Sequence, residues 1–116
     1  MSVKKKSVII PETTEQFDSL LKYAFAKKMP VFIKFTAEWC GPCQKLSPDY
    51  KKVALKFKDH ILFLEVDIDK LQELQSRYKV TKIPKMIILK NGQQVFNDHP
   101  TNLATMTSLA ENALHV

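Results

Sequence analysis

The sequence predicts an α/β domain, a mixed five-stranded sheet with helices on both faces, with residues 1–116 as a single unit. Three observations lead there. Apolar runs of strand character alternate with stretches of helical period along the whole chain. Two of the runs, Val31-Phe32-Ile33-Lys34-Phe35-Thr36 and Ile61-Leu62-Phe63-Leu64-Glu65-Val66, are apolar on both faces, as strands covered on both sides must be. Asn91-Gly92 then turns Met86-Ile87-Ile88-Leu89 back into Gln94-Val95-Phe96, because both turn residues tolerate the positive φ that a two-residue hairpin requires. Parallel strands with an antiparallel edge pair follow from this order.

Taken in sequence, Lys4-Lys5-Lys6 forms a basic tip on a short strand, Val8-Ile9-Ile10, ended by Pro11. Thr13 and Gln16 have capping-box spacing, and Phe17, Leu20, Leu21, Ala24 and Phe25 recur with helical period, giving a first helix that ends near Lys28. Pro30 breaks it before the central strand. Leu46, Tyr50, Val53, Ala54 and Phe57 mark a second helix with Pro48 inside it, a residue that bends helix axes. Asp59-His60 closes that segment. Asp67-Ile68-Asp69 follows the next strand, and Leu71, Leu74 and Tyr78 indicate a short third helix stopping near Lys79. From Thr101 onward, Leu103, Met106, Leu109, Ala110, Ala113 and Leu114 form the stripe of a final helix.

A chain of 116 residues buries roughly two-thirds of its unfolded surface, so no disulfide is needed as a brace. Its 45% hydrophobic and 26% charged residues argue against disorder. No apolar run is long enough to span a membrane, and Met1 to Ile10 lacks both the features of a secretory signal and the arginines of a transit peptide. A cytoplasmic location is therefore expected, where two cysteines suggest a working redox pair. The net charge of +6 invites a nucleic-acid reading, but Arg77 is the only arginine and the lysines are spread along the chain. A solvated lysine surface, with a preference for acidic protein partners, is the expectation.

Chemistry concentrates in Trp39-Cys40-Gly41-Pro42-Cys43, which holds both cysteines and the only tryptophan. Positions i and i+3 are neighbours on a helix, so the two sulfurs can bond. Gly41 frees the backbone to turn, and Pro42 suits the first helical turn, where its missing N–H breaks no hydrogen bond. Cys40 thus falls at a helix N-terminus, whose unpaired N–H groups and dipole favour the thiolate, the attacking species in disulfide exchange. Two buried structural cysteines are the plainer reading, and their spacing ahead of a helix weighs against it. Zinc needs four ligands, whereas His60, His99 and His115 are scattered singly, so neither a metal nor another cofactor is expected.

Ala37-Glu38-Trp39-Cys40-Gly41-Pro42-Cys43 resembles the active-site segment of the thioredoxin family, for which this cysteine spacing is a recognised signature. The predicted order of elements matches the thioredoxin fold over almost the whole chain. The resemblance implies that Cys40 is the nucleophile and Cys43 the resolving cysteine of a redox-active disulfide that reduces target proteins. It also implies that Ile83-Pro84 is a cis bond facing the cysteines, although trans is the usual state of such bonds. Trp39, Gly41, Pro42, Ile83, Pro84 and Lys85 would contact the target chain, which would pair as an added strand beside Pro84. Disulfide-containing target proteins and a thioredoxin reductase-type recharging enzyme are the implied partners of a monomer.

Departures from the family fall close to the site. Where thioredoxins carry a buried aspartate in the central strand and a lysine partner in the next, this chain has Lys34 and Glu65, as though the charges were exchanged. Either the two pair and move the proton of Cys43, or Lys34 snorkels to water. Lys85 stands where the family commonly has threonine, and with Lys45 and Lys82 it makes either a cationic rim or three solvated lysines. Pro100 replaces a common glycine and removes an N–H donor.

Function divides between a protein-disulfide reductase and a thioredoxin-fold adaptor that holds a partner with redox turnover secondary. The intact Cys40-Gly41-Pro42-Cys43 favours the reductase, since an adaptor has no use for a resolving thiol. An oxidase or isomerase ranks third.

Overall fold

The structure is a computed structural model that describes residues 6–115, so Lys4 and Lys5 of the basic tip lie outside the described residues. Nine elements follow the predicted order: β1 (Val8–Ile9), α1 (Thr14–Ala26), β2 (Val31–Thr36), α2 (Gly41–Phe57), β3 (Leu62–Asp67), α3 (Gln72–Arg77), β4 (Lys85–Lys90), β5 (Gln93–Asp98) and α4 (Leu103–Ala113). The strands lie side by side in the order β1-β3-β2-β4-β5. β1, β3 and β2 run parallel, while β4 is antiparallel to both β2 and β5.

Alternation along the strands sends side chains to two cores. Phe32, Phe63, Met86 and Ile88 pack against Tyr50 and Val53 of α2 and Met106 and Ala110 of α4. Ile33, Phe35, Leu64, Val66 and Ile87 pack on the other face against Phe17 and Ala24 of α1 and Leu74 of α3. Every residue of β2 is buried, because β2 has a strand on each side and helices above and below. At the far edge, β5 reads Gln-Gln-Val-Phe-Asn-Asp and is mostly exposed, a polar strand that blunts edge-to-edge pairing.

Local chemistry sets most of the boundaries. Thr13 caps α1 by accepting the Gln16 N–H at 3.0 Å, while the Gln16 amide oxygen accepts the N–H of Glu12, one residue earlier than a standard capping box. Asn102 caps α4 in the same way through the Thr105 N–H. Asn91 (φ 53°) and Gly92 (φ 78°) form the predicted hairpin turn, with a register shift between Ile88 and Leu89 beyond it.

Several boundaries differ from the sequence expectation: β3 is shifted by one residue to Leu62–Asp67, and β5 extends past the apolar run to Gln93–Asp98. β1 stops at Ile9, and Ile10 is exposed ahead of Pro11. α1 ends at Ala26, because Lys28 adopts φ 57° and its N–H, with that of Met29, turns back onto the carbonyls of Phe25 and Ala24. β4 begins at Lys85, one residue before the apolar run.

Candidate active site

The end of β2 delivers the chain to the cysteines. Thr36 is the last strand residue, Ala37 is buried beneath the following turn, and Cys40 caps α2 with extended backbone (φ −86°, ψ 101°). Pro42 sits in the first turn of α2, where it sacrifices no hydrogen bond. The Gln44 side chain donates to the Ala37 carbonyl at 2.9 Å and ties the helix to the turn. Cys40 and Cys43 are joined by a disulfide with their Cα atoms 5.3 Å apart, inside the range that such bonds span. Cys40 Sγ also accepts the N–H of Cys43 at 3.3 Å. On reduction, this free helix-end donor and the helix dipole favour a thiolate on Cys40.

Access to the two sulfurs is unequal. Cys40 is 5% exposed and Cys43 fully buried, so a target reaches Cys40 first. Trp39, 69% exposed, lies beside it and, with Cys40, Gly41, Pro42 and Ile83, lines an open groove of about 500 Å³. The Ile83-Pro84 bond is cis. Pro84 and Lys85 are half-buried, and Lys85 pairs with Phe35 across the ladder of β2 and β4. Lys45 and Lys82 are exposed, whereas Pro100 is buried.

Beneath the disulfide, Lys34 does not snorkel. Its side chain is 1% exposed, donates from Nζ to the Cys43 carbonyl at 3.1 Å, and approaches Glu65 Oε1 at 3.6 Å. Adjacent registration in the β2–β3 ladder places Lys34 directly opposite Glu65. Burial pushes the Lys34 ammonium below its ordinary pKa, and the neighbouring Glu65 carboxylate counteracts it. Tyr50 lies under the same ammonium, which is 5.5 Å from its ring centroid. The Tyr50 hydroxyl reaches the carbonyls of Phe32 and Leu64, at 3.1 and 2.7 Å, and bridges β2 to β3. Burial and then Glu65 raise the Tyr50 phenol well above 10, so it stays neutral.

Asp69 is a site residue that the sequence reading passed over. Its Oδ2 accepts from Trp39 Nε1 at 2.7 Å and so orients the exposed indole beside Cys40. Register brings the two together: β2 and β3 are parallel neighbours that end at the Thr36–Asp67 pair, so the turns that follow them meet. Lys70 and Glu38 join the same two turns at 3.2 Å. Among the described residues, no group of three or more His, Cys, Asp or Glu side chains is placed to hold a metal ion, and no helix is long and apolar enough to cross a membrane.

Residues 8–112 match the profile of the Thioredoxin family. A thioredoxin H-type from Fagopyrum esculentum is 36% identical over 92 residues, covering 79% of this chain and 78% of that protein. Thioredoxin H1 of Arabidopsis thaliana is 34% identical over 93 residues, covering 80% and 81%. Among solved structures, a poplar thioredoxin h aligns with a TM-score of 0.88 at 26% identity, over 95% of this chain and 98% of that one. Schistosoma mansoni thioredoxin aligns with a TM-score of 0.82 at 29% identity, over 94% and 98%.

Proposed function

The chain belongs to the thioredoxin family, and on that premise we propose a division of labour among the residues of its site. The activity is thiol-disulfide exchange: the protein is a disulfide reductase whose Cys40-Cys43 couple alternates between dithiol and disulfide. The observation that carries this reading is a helix-capping cysteine, bonded to a second one turn behind it, at the edge of an open groove.

Cys40, as thiolate, attacks one sulfur of a target disulfide, forming a mixed disulfide and releasing the other target sulfur as a thiolate. Cys43 gives up its proton and attacks Cys40 Sγ, restoring the Cys40–Cys43 bond and releasing the second target thiolate. Two electrons pass to the target, and two protons neutralise its sulfurs. The contact surface in this proposal is Trp39, Gly41, Pro42, Ile83, Pro84 and Lys85, with acidic targets favoured by the lysines. Lys34 and Glu65 act as a pair that moves the proton of Cys43. The chain works as a single domain over residues 1–116 and as a monomer in the cytoplasm. There it serves electron transport and redox homeostasis, recharged by a reductase of the thioredoxin reductase type.

Insulin reduction by dithiothreitol tests the reading. Wild type accelerates it, Cys40→Ser abolishes the acceleration, and Cys43→Ser accumulates mixed disulfide. No acceleration by wild type, with stoichiometric capture of a cell protein, would instead support an adaptor. The proton role of the pair predicts that Lys34→Met combined with Glu65→Leu changes the pH profile of target reduction. An unchanged profile removes the pair from the mechanism.

A further inference from the structure

A lysine held under the resolving cysteine acts on the chemistry of the couple as well as on its geometry. We propose that Lys34 sets the redox poise of the site: its buried ammonium, clamped between the Cys43 carbonyl and Glu65, favours the reduced, thiolate-bearing form over the disulfide. The couple is therefore more oxidising than the same site without that charge. This inference rests on Cys40-Cys43 being the exchanging couple.

The argument is one of charge balance in a dry place. Reduction by dithiothreitol breaks the Cys40–Cys43 bond, puts two electrons on the two sulfurs and converts the reagent to its cyclic disulfide with release of two protons. If one protein sulfur remains a thiolate, only one of those protons is taken up and the other goes to solvent. A buried anion is favoured when an opposite charge stands within a few ångströms and disfavoured when a like charge does. Nζ of Lys34 is 3.1 Å from the carbonyl oxygen of Cys43, so a positive charge lies next to the residue that carries one of the two sulfurs. The disulfide form has no charge for it to stabilise.

Burial and Lys51 work against the charge on Lys34, and Glu65 and the Cys43 carbonyl hold it. From β3 comes Glu65, its carboxylate 3.6 Å away and 21% exposed. From α2 come Cys43, the neutral Tyr50 and the cation Lys51, which adds to the positive field. From β4 the ladder opposes Lys34 with Met86, which carries no charge. Both the carbonyl hydrogen bond and the carboxylate favour the protonated amine.

The test is a redox titration of the whole chain against dithiothreitol at several pH values, with thiols counted after alkylation. Lys34→Met is expected to lower the equilibrium constant for reduction about tenfold at neutral pH, about 30 mV in potential. In wild type the constant begins to rise with pH earlier than in Lys34→Met, because a thiol ionises at lower pH beside the ammonium. Lys34→Arg, which keeps the charge, restores both readings. Lys34→Gln, which removes the charge but keeps a polar side chain facing the Cys43 carbonyl, is expected to lower the constant in the same direction as Lys34→Met. That variant carries the test if Lys34→Met does not fold. An unchanged or raised constant in folded Lys34→Met or Lys34→Gln overturns the proposal. Failure of the underlying reading looks different: wild type itself would never link Cys40 to Cys43 at any ratio of reagent.

Discussion

Two ion pairs in this molecule differ in the opposite sense to their distances. Arg77 meets Asp18 on the surface between α3 and α1 with two hydrogen bonds, of 2.6 and 3.2 Å. Lys34 and Glu65 meet at 3.6 Å beneath the disulfide. Water surrounds the first pair and screens it, so its tight geometry contributes little. In the second, Lys34 lies where water cannot replace a missing partner, and the looser contact matters more because its ammonium would otherwise be stranded. Burial, more than separation, decides which pair can influence the site.

The largest test of that contrast is Glu65→Leu. It leaves the ammonium of Lys34 buried with the Cys43 carbonyl and the Tyr50 ring but no counter-charge, and should cost about 3 to 5 kcal/mol in denaturant unfolding. A loss below about 1 kcal/mol would place Lys34 in water and remove the contrast. Asp69→Ala is next, because the Trp39–Asp69 hydrogen bond is exposed like the surface pair yet sits on the groove. It should lower kcat/KM for target reduction about tenfold, some 1.4 kcal/mol, with little change in unfolding free energy. Lys34→Met should change stability by only about 1 kcal/mol at neutral pH, since Glu65 is near enough to water to rehydrate.

That last variant has its own pH signature. Burial lowers Lys34 from its ordinary 10.5, so between its folded value and 10.5 the unfolded chain binds more protons than the native protein. Wild type therefore gains stability relative to Lys34→Met as pH rises through that window, and parallel curves would contradict the burial. Asp18→Asn is the smallest effect, about 0.5 kcal/mol or less. The hydrogen bond from Arg77 holds the Asp18 carboxyl below its ordinary 3.8. Its contribution is full above that value and disappears as pH falls through the lower folded value.

Much of this architecture was legible because it depends on local patterns. The buried character of β2 and β3 follows from apolar residues on both faces, and the hairpin from Asn91-Gly92. The cysteine couple follows from spacing and from Pro42 at the start of a helix. Helix ends were harder to read. α1 and α3 both close with a left-handed residue, a place that glycine usually fills, and here Lys28 and Lys79 occupy it at φ 57° and 53°. With two glycines in the chain, that punctuation is invisible. Whether Lys34 paired or snorkelled was equally undecidable from β2 alone, because the answer lies in the register between β2 and β3 and in the α2 carbonyl above it. Asp69 was missed for the same reason: its partner Trp39 is thirty residues away and adjacent only once two parallel strands end together.

The central claim is an activated Cys40 with Cys43 protected behind it. The most direct measurement is alkylation of the reduced protein with iodoacetamide at neutral pH, mapped by peptide mass over time. Modification of Cys40 well ahead of Cys43, with a rate that levels off below the pH range of an ordinary thiol, is the predicted result. Equal labelling of the two cysteines, or Cys43 reacting first, would contradict the account.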